Sequence, residues 1–342
     1  MSIEYTVFKG SKNGIVESKS RVENLGPHDV LIRITHSGVC GTDEHFKEKD
    51  MVLGHEGIGL VQEVGESVSI FKVGQRAGWG YQHSCCGACK HCLSGAETFC
   101  PERHMYGSTE LDQGSFATHA VWKESFLFHI PDAMASLDAA PLMCAGATVF
   151  NALSHGVDST HRVGVVGVGG LGHLCILFAA KMGCEVVVFS QTDSKREEAL
   201  SLGAHEFVAT KGLKKLSIEP VDHLLVTTSV QPDWDMFVTA MAPRGTIHPM
   251  TVSSTKMVFP YSTLISQGLR MDGVILASRN VQNRMLHFAA RHGIKPVTQT
   301  FPMSVGGATE ALKRLDEGKI RYRAVLLAKD QTEEEVEEPS HL

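Results

Sequence analysis

The sequence predicts an α/β protein with a β-rich, barrel-like domain and a second domain built on a doubly wound parallel sheet. Its 342 residues allow two domains, at about 150 residues each. The first part of the chain is interrupted by glycines and shows no helical period, whereas strands and helices alternate from about residue 146. We therefore assign residues 1–145 and 281–342 to the first domain and residues 146–280 to the second.

Strand patterns in the first domain support a barrel. Residues 29–35 alternate apolar and polar side chains after a Gly26-Pro27 turn, as a half-buried strand does. Residues 57–65 are a strand candidate with a glycine at each end, and residues 74–79 are typical of a turn that leads into another strand. In the second domain we expect strands at 185–189, 206–209, 223–228 and 244–248 and helices at 171–182, 195–202 and 233–241. Helices at 283–292 and 306–317 and a last strand at 319–328 should follow.

Composition argues against several classes of protein. The net charge of −6 and the lack of a basic stripe disfavour nucleic-acid binding. No apolar run is long enough to cross a bilayer, and the N-terminus does not resemble a secretory signal. We therefore expect a reducing compartment, the cytoplasm. There, nine clustered cysteines are metal ligands more often than disulfides.

A first candidate metal site lies between residues 40 and 56. Cys40 and His55 offer a thiolate and an imidazole, which zinc prefers, and Thr42 and Glu56 lie beside them. A catalytic zinc takes three protein ligands and leaves one position open, so we expect a third ligand, for which Cys144 is the candidate. Taken singly, Cys40 would be an ordinary buried residue and His55 an ordinary polar one.

A second candidate site is a loop with four regularly spaced cysteines. Cys86, Cys89 and Cys92 are three residues apart, and Cys100 follows eight residues later. Four thiolates can surround a zinc ion and leave no open position, which indicates a structural site. Cys85 is the alternative to Cys86, but it would break the repeat of three.

A glycine-rich turn follows a strand and begins a helix. It contains Gly167, Gly169, Gly170, Leu171 and Gly172. In a dinucleotide-binding turn the first glycine makes the bend, the second lets the backbone approach a pyrophosphate, and the third lets helix and strand pack closely. The free N–H groups of the helix N-terminus would then bind the phosphates.

The end of the next strand predicts a preference for NADP. NAD-specific folds usually place a carboxylate there, whereas this chain has Ser190, followed by Thr192, Lys195 and Arg196. Hydroxyl and cationic groups would accept a 2′-phosphate. Asp193 complicates the prediction because a small shift could bring it to the ribose. The alternative is that Lys195 and Arg196 are only solvated charges.

Together these landmarks resemble the zinc-dependent medium-chain dehydrogenase/reductase family, and most closely its cinnamyl-alcohol dehydrogenase-like branch. The resemblance runs from about residue 28 to 328. Its motifs are Gly38-Val39-Cys40-Gly41-Thr42-Asp43, Gly54-His55-Glu56, the four-cysteine loop and residues 141–146, 167–172 and 319–323.

The resemblance implies a GroES-like catalytic domain, a Rossmann cofactor domain and an active site in the cleft between them. It implies that Cys40, His55 and Cys144 bind the catalytic zinc. It also implies that Glu56 can exchange with the zinc-bound water, and that Asp43 hydrogen-bonds a ligating imidazole.

Thr42 and His45 match the proton relay of the family, although His45 could be a plain surface histidine. The expected activity is that of a reversible NADP(H)-dependent alcohol dehydrogenase or aldehyde reductase with two zinc ions per subunit. Its substrate would be an aromatic or medium-chain aldehyde or primary alcohol. Family members pair through the edge of the Rossmann sheet, here residues 271–277, so we expect a homodimer or a tetramer.

One feature departs from the family pattern. The loop between Cys40 and His55 is shorter than in relatives, which suggests a more open cleft. Four residues could line that cleft, and the two aromatic ones could equally belong to the core: Trp79, Tyr81, Gln82 and His83.

Other readings stay open at this point. The chain could be a specialised biosynthetic reductase of a complex carbonyl or iminium, a polyol dehydrogenase, or a non-enzymatic cofactor-binding protein on the same scaffold. Residues 333–339 form an acidic tail that we expect to be solvated and disordered. The terminus Ser340-His341-Leu342 is similar to the peroxisomal address S-K-L, so the peroxisome is the alternative to the cytoplasm.

Overall fold

The computed structural model describes residues 2–253 and 255–330. These residues form two compact units. The first contains the described residues up to Cys144 and from Ser278 onward, and the second contains Ala145–Ala277. The predicted acidic tail and terminal tripeptide lie outside the described residues.

A seven-stranded sheet organises the first unit. Its strand order is β16-β17-β3-β4-β5-β9, and β8 also pairs with β3. Strand β3 lies at the centre because most of its eleven residues are buried, and it pairs with β17, β4 and β8. Two hairpins, β1-β2 and β6-β7, complete the strands. The strand bounds are β1 Ile3–Lys9, β2 Val16–Val22, β3 Asp29–Val39, β4 Gly57–Val64, β5 Arg76–Trp79, β6 Gln82–Ser84, β7 His104–Met105, β8 His119–Lys123, β9 Phe128–His129, β16 Thr298–Pro302 and β17 Arg323–Leu327.

Five helices belong to this unit: α1 Gly41–Phe46, α2 Lys90–Leu93, α3 Ser136–Pro141, α9 Arg279–His292 and α10 Val305–Asp316. Helix α9 begins four residues before the predicted start, because the Ser278 side chain accepts a hydrogen bond from the N–H of Val281 and caps it. The last strand is shorter than predicted. The chain after α10 turns at Gly318, where φ is +66°, and Lys319 N–H still bonds to the helix. Strand β16 was not predicted.

The second unit is a parallel sheet of six strands in the order β12-β11-β10-β13-β14-β15. This is the doubly wound order in which the first strand, β10, lies beside the point where the order reverses. The strands are β10 Arg162–Val166, β11 Glu185–Ser190, β12 Glu206–Ala209, β13 Val221–Val226, β14 Met241–Pro249 and β15 Arg270–Met271. β15 is an edge strand and is exposed.

Five helices belong to the second unit: α4 Ala147–Leu153, α5 Gly172–Lys181, α6 Arg196–Ser201, α7 Trp234–Phe237 and α8 Tyr261–Ser266. The helix predicted at 233–241 is a single α-turn followed by a 3₁₀ turn, since Met241 already begins β14. Within the described part of the chain, no helix has the length and apolar character that a bilayer span requires.

Candidate active site and metal centres

Four potential metal ligands converge in the first unit. The donor atoms of Cys40, His55, Glu56 and Cys144 all lie within 4.8 Å of one another. Cys40 follows the central strand β3, and His55 and Glu56 directly precede β4, which pairs with β3. Cys144 lies in the π-helical turn Leu142–Gly146, between α3 and α4. The fold thus brings together residues that are up to 104 positions apart (144 − 40).

Asp43 fixes the orientation of His55. Both side chains are fully buried, and His55 Nδ1 lies 2.9 Å from Asp43 Oδ1. The same oxygen accepts hydrogen bonds from the Tyr106 hydroxyl and the Gly54 N–H, at 2.8 and 3.2 Å. The other carboxylate oxygen accepts the Cys40 N–H at 2.8 Å and so shapes the first turn of α1. Asp43 therefore holds the ligand-bearing loop at both ends.

His55 Nε2 is the atom that this arrangement leaves for a metal. In the neutral imidazole, whose Nδ1–H donates to Asp43, Nε2 carries the lone pair. It is buried and has no hydrogen-bond partner among the described residues. Buried polar atoms are nearly always paired, so an unpartnered nitrogen facing two thiols and a carboxylate fits a zinc site.

Arg323 binds the carboxylate of Glu56 and fixes its orientation. The Arg323 Nη2 atom lies 2.6 Å from each oxygen of the carboxylate, and both side chains are buried. Gly38 makes room for this pair, because a Cβ there would lie 1.9 Å from Glu56 Oε2. Sequence reasoning assigned Arg323 no role. The available signal was an arginine in an otherwise apolar strand, and such a residue is rarely buried without a partner.

Burial and close contacts between the side chains shift the pKa values of the cluster. A hydrogen bond from Cys144 lowers the pKa of Cys40 well below its usual value despite burial, and the neighbouring His55 contributes. The same Cys40 contact, with burial, raises the pKa of Cys144. Burial opposes the charged form of His55, but Asp43 and then Cys40 hold its pKa above the usual range. Burial raises the pKa of Glu56 to about 7, against the opposing charge of Arg323. A dication would relieve this concentration of anionic groups.

No hydrogen bond joins the two residues of the expected proton relay in the described part of the chain. Thr42 Oγ1 lies 3.8 Å from Cys40 Sγ, so the hydroxyl is beside the metal-ligand cluster. His45 is exposed on α1 and has no hydrogen bond to Thr42 in the described residues. A relay through both residues would need another hydroxyl group between them.

Of the four residues predicted as possible cleft-lining groups, only Tyr81 is half-buried beside the cluster. Its ring packs edge-on against His55 and Tyr106, with centroid distances of 5.2 and 5.6 Å. Trp79 is fully buried and belongs to the core. Gln82 and His83 are also interior residues: Gln82 donates to the carbonyl of Glu97 at 3.1 Å, and His83 pairs with Glu110 at 2.5 Å. These three residues are therefore part of the interior of the first unit.

The four-cysteine loop also has the geometry of a metal site. The Sγ–Sγ distances are 3.5 Å for Cys86–Cys100, 3.6 Å for Cys89–Cys92 and 3.9 Å for Cys86–Cys92. A tetrahedron with Zn–S bonds of about 2.3 Å has edges of about 3.8 Å, so these distances fit zinc. Cys85 is not in the group of converging sulfurs and packs against a core cluster instead.

The glycine turn in the second unit has a backbone geometry that is compatible with a dinucleotide-binding turn. Gly167 has φ of +93°, and its N–H donates to the carbonyl of Phe189 in β11. A Cβ on Gly172 would lie 2.0 Å from the carbonyl oxygen of Gly167, so helix and strand could not pack as they do. Gly169 faces open space, where a pyrophosphate could approach. Gly170 and Leu171 lead into α5.

Lys195 lies against this turn. Its Nζ donates to the carbonyl of Val168 at 2.5 Å, which brings an ammonium group from the end of β11 to the glycine turn. Ser190 ends β11, and the Thr192 hydroxyl lies 3.0 Å from that of Ser194. The structure thus places a cation and several hydroxyls where NAD-specific folds carry a carboxylate.

Comparison with known proteins identifies the family. Residues 26–132 match the alcohol dehydrogenase GroES-like domain, and residues 170–291 match the zinc-binding dehydrogenase domain. A probable formaldehyde dehydrogenase of Bacillus subtilis is 36% identical over 318 residues, 88% of this chain and 90% of that protein. The chain belongs to the zinc-dependent medium-chain dehydrogenase/reductase family. Cinnamyl alcohol dehydrogenase 5 of Arabidopsis thaliana is 34% identical over 89% of this chain and 90% of its own length.

Solved structures agree with this family. A cinnamyl alcohol dehydrogenase from Sorghum bicolor covers 98% of this chain and 100% of its own, with 28% identity and a TM-score of 0.88. One from Helicobacter pylori, solved with NADP(H), covers 95% of this chain and 98% of its own, with 26% identity and a TM-score of 0.86. The predicted family, its cinnamyl-alcohol dehydrogenase-like branch and the GroES-like plus Rossmann fold class are confirmed. The chain is an oxidoreductase of the alcohol dehydrogenase type.

Proposed function

We propose that this chain is a zinc-dependent NADP(H) alcohol dehydrogenase or aldehyde reductase. It would transfer hydride between the nicotinamide and an aromatic or medium-chain aldehyde or primary alcohol. The observation that carries the proposal is the convergence of Cys40, His55, Glu56 and Cys144 within 4.8 Å, with His55 Nε2 buried and unpartnered among the described residues. The relatives named as cinnamyl alcohol and formaldehyde dehydrogenases support the substrate class.

Cys40, His55 and Cys144 would hold the catalytic zinc. Zinc in such a site supplies Lewis-acid polarisation of a carbonyl oxygen, and the nicotinamide supplies or accepts the hydride. Arg323 donates to both oxygens of Glu56 and holds this carboxylate beside the three proposed ligands. Glu56 would be the neighbour that exchanges with a water at the open position, while Asp43 would keep His55 in the required tautomer.

Thr42 would move the proton. Its hydroxyl is the nearest one in sequence to the Cys40 thiol and lies 3.8 Å from it, so it can pass a proton to or from the substrate oxygen. His45 is exposed and would exchange that proton with solvent. Because no hydrogen bond joins the two side chains among the described residues, a hydroxyl group of the bound ligand would have to connect them.

The second unit would bind NADP(H). Gly167, Gly169 and Gly172 form the turn, and the N-terminus of α5 offers N–H groups to the pyrophosphate. Lys195, with the hydroxyls of Ser190 and Thr192, would take the 2′-phosphate. The hydrogen bond from Lys195 Nζ to the carbonyl of Val168, at 2.5 Å, supports this assignment. The Helicobacter pylori relative solved with NADP(H) also supports it.

A second zinc held by Cys86, Cys89, Cys92 and Cys100 would be structural, giving two per subunit. The exposed edge strand β15, with the exposed apolar side chains of Met271 within it and Ile275 after it, supports pairing into a homodimer. We further propose a cytoplasmic location, with the peroxisome as the alternative that the terminal tripeptide suggests.

The proposal is tested by measuring zinc per subunit together with NADPH and NADH oxidation over a panel of aldehydes. The panel should include formaldehyde, hexanal, benzaldehyde and cinnamaldehyde. We expect two zinc ions and faster oxidation of NADPH with the aromatic or medium-chain members. One zinc and no turnover with any aldehyde would contradict the proposal. Turnover only with NADH would contradict the cofactor assignment alone.

A further inference from the structure

The side chains of two adjacent basic residues, Lys195 and Arg196, extend in opposite directions in the segment after β11. The sheet order is β12-β11-β10, so β11 has a neighbour on each side. Lys195 reaches the β10 side, where its Nζ donates to Val168 in the glycine turn. Arg196 reaches the β12 side, where its Nη1 donates to the carbonyl of Phe207 at 3.0 Å. Only Lys195 therefore lies at the turn that would hold the dinucleotide.

Arg196 also binds Asp193, the one carboxylate between Ser190 and Arg196. Its Nε and Nη2 atoms lie 2.8 and 2.6 Å from Asp193 Oδ1. The guanidinium stacks on the ring of Phe207 at 4.9 Å from the centroid. An exposed ion pair alone is weak, but here the carbonyl and ring of Phe207 fix the guanidinium independently of Asp193. The carboxylate is thus held by an anchored partner.

We propose that Arg196 selects for a 2′-phosphorylated cofactor indirectly, by neutralising Asp193 and holding it on the β12 side of β11. This inference rests on the proposed use of NADP(H). A carboxylate at the end of this strand hydrogen-bonds the ribose 2′-hydroxyl in NAD-specific folds and repels a 2′-phosphate. The ion pair between Asp193 and Arg196 removes both this hydrogen bond and this repulsion. Ser190, Thr192 and Lys195 then determine whether the cofactor with or without the 2′-phosphate binds. Arg196 is a positioning residue and does not contact the phosphate.

The test compares binding of adenosine 2′,5′-bisphosphate with that of adenosine 5′-monophosphate by calorimetry on the whole protein. These ligands differ only in the 2′-phosphate and need no turnover. In Arg196→Gln we expect the affinity ratio of bisphosphate to monophosphate to fall about three- to fivefold, the strength of an exposed charge interaction. The fall should shrink in 1 M salt, where the screening length is about 3 Å.

A double-mutant cycle separates neutralisation from direct binding. Asp193→Asn should leave the ratio unchanged or raise it, and Arg196→Gln should have little effect in the Asp193→Asn background. Arg196→Lys keeps a charge but loses the two-atom contact with Asp193, so it should fall between wild type and Arg196→Gln. Lys214→Gln removes an exposed positive charge in the same unit and should not change the ratio.

Several results would overturn the inference. A full Arg196→Gln effect in the Asp193→Asn background would mean that Arg196 binds the phosphate directly. An equal loss for both ligands would mean that Arg196 only stabilises the turn, and melting temperatures would show this too. A wild-type protein that prefers the monophosphate would instead overturn the proposed NADP preference. A wild-type preference for the bisphosphate that Arg196→Gln leaves unchanged would overturn this inference alone.

Discussion

The imidazole of His55 donates its Nδ1 proton to Asp43 across 2.9 Å, and both side chains are completely buried. This hydrogen bond determines which ring nitrogen is available to a metal. In metal sites, carboxylate partners of this kind orient the ligand and increase its basicity. The same carboxylate binds the backbone at Cys40 and Gly54, so it also joins the two segments that carry the ligands.

Replacing Asp43 by Asn should therefore weaken zinc binding at this site about 10- to 100-fold. With its oxygen at the Oδ1 position the amide can still accept from His55 but lacks the negative charge, and its NH₂ group then faces the Cys40 N–H, which loses its acceptor. Zinc affinity can be measured by competition with a chromogenic chelator. Tyr106→Phe is the matched control, because it removes one hydrogen bond to Asp43 and keeps the charge. Equal affinities for Asp43→Asn and wild type would rule out this role.

Cys40→Ser should remove the catalytic zinc and the activity but keep the fold. Cys40 lies at the N-cap of α1, where serine is also accepted, so the helix should still form. We expect one zinc per subunit and an unchanged circular dichroism spectrum. Cys89→Ser should also leave one zinc but should lower the melting temperature, because the four-cysteine loop would lose its cross-link. Turnover by Cys40→Ser with the site empty of metal would contradict the proposed chemistry.

The Arg323–Glu56 pair predicts a large effect on stability. Removing one partner of a buried ion pair leaves an uncompensated charge, so Arg323→Met should lower the free energy of unfolding by about 3–5 kcal/mol. Adding Glu56→Gln should restore much of that loss, because the unpaired charge disappears. The free energies of unfolding of the two variants and of wild type can be measured by urea denaturation. Lys313→Met, at an exposed position, is the control. A double variant less stable than Arg323→Met would show that the pair is not the cause.

A histidine chain in the second unit predicts a loss of stability in mild acid. His161, His223 and His248 are joined by two ring contacts of 3.1 Å, and the far side of His248 faces Asp272 at 3.8 Å. Burial, and then the neighbouring His223, lowers the pKa of His248 to about 4. The folded-state pKa is thus below that of the unfolded chain, about 6.5, so the neutral form is favoured by folding.

The resulting contribution to stability is complete above pH 6.5 and is lost as the pH falls from 6.5 toward 4. At pH 5 the loss amounts to about 2 kcal/mol, from about 1.4 kcal/mol per pH unit between pH 6.5 and pH 5. Urea unfolding at pH 7 and pH 5 should therefore show a smaller loss in His248→Asn than in wild type. Replacement of the exposed His287 by Asn should leave the wild-type pH dependence intact. An identical pH dependence in all three proteins would exclude His248 as the cause.

Sequence patterns predicted the features that depend on local spacing. The repeat of three in Cys86, Cys89 and Cys92 and the glycines from 167 to 172 carry their geometry within one short segment. Cys144 was more difficult, because its thiol lies far along the chain from Cys40 and His55, and it was named only as the candidate for a missing third ligand. The hydroxyl and cationic groups after β11 were recognised by residue type, but their directions were not.

Long-range pairs were not predictable from spacing. Arg323 and Glu56 are 267 residues apart, and no periodicity joins them. The predicted strand from 319 began too early because its apolar pattern gave no sign of the backbone turn at Gly318. Trp79 and Tyr81 have the same alternation and similar chemistry, yet one is in the core and the other faces the ligand cluster. Such differences depend on tertiary packing.

The divergence of Lys195 and Arg196 has a practical consequence for anyone who redesigns or classifies this nucleotide site. Inserting or deleting one residue in the preceding loop would rotate the segment and exchange the neighbours of the two side chains. Cofactor choice would then change although every charged and hydroxyl group was still present. Counting residue types in a sequence alignment would miss that change. Identifying the strand that each basic side chain contacts would reveal it.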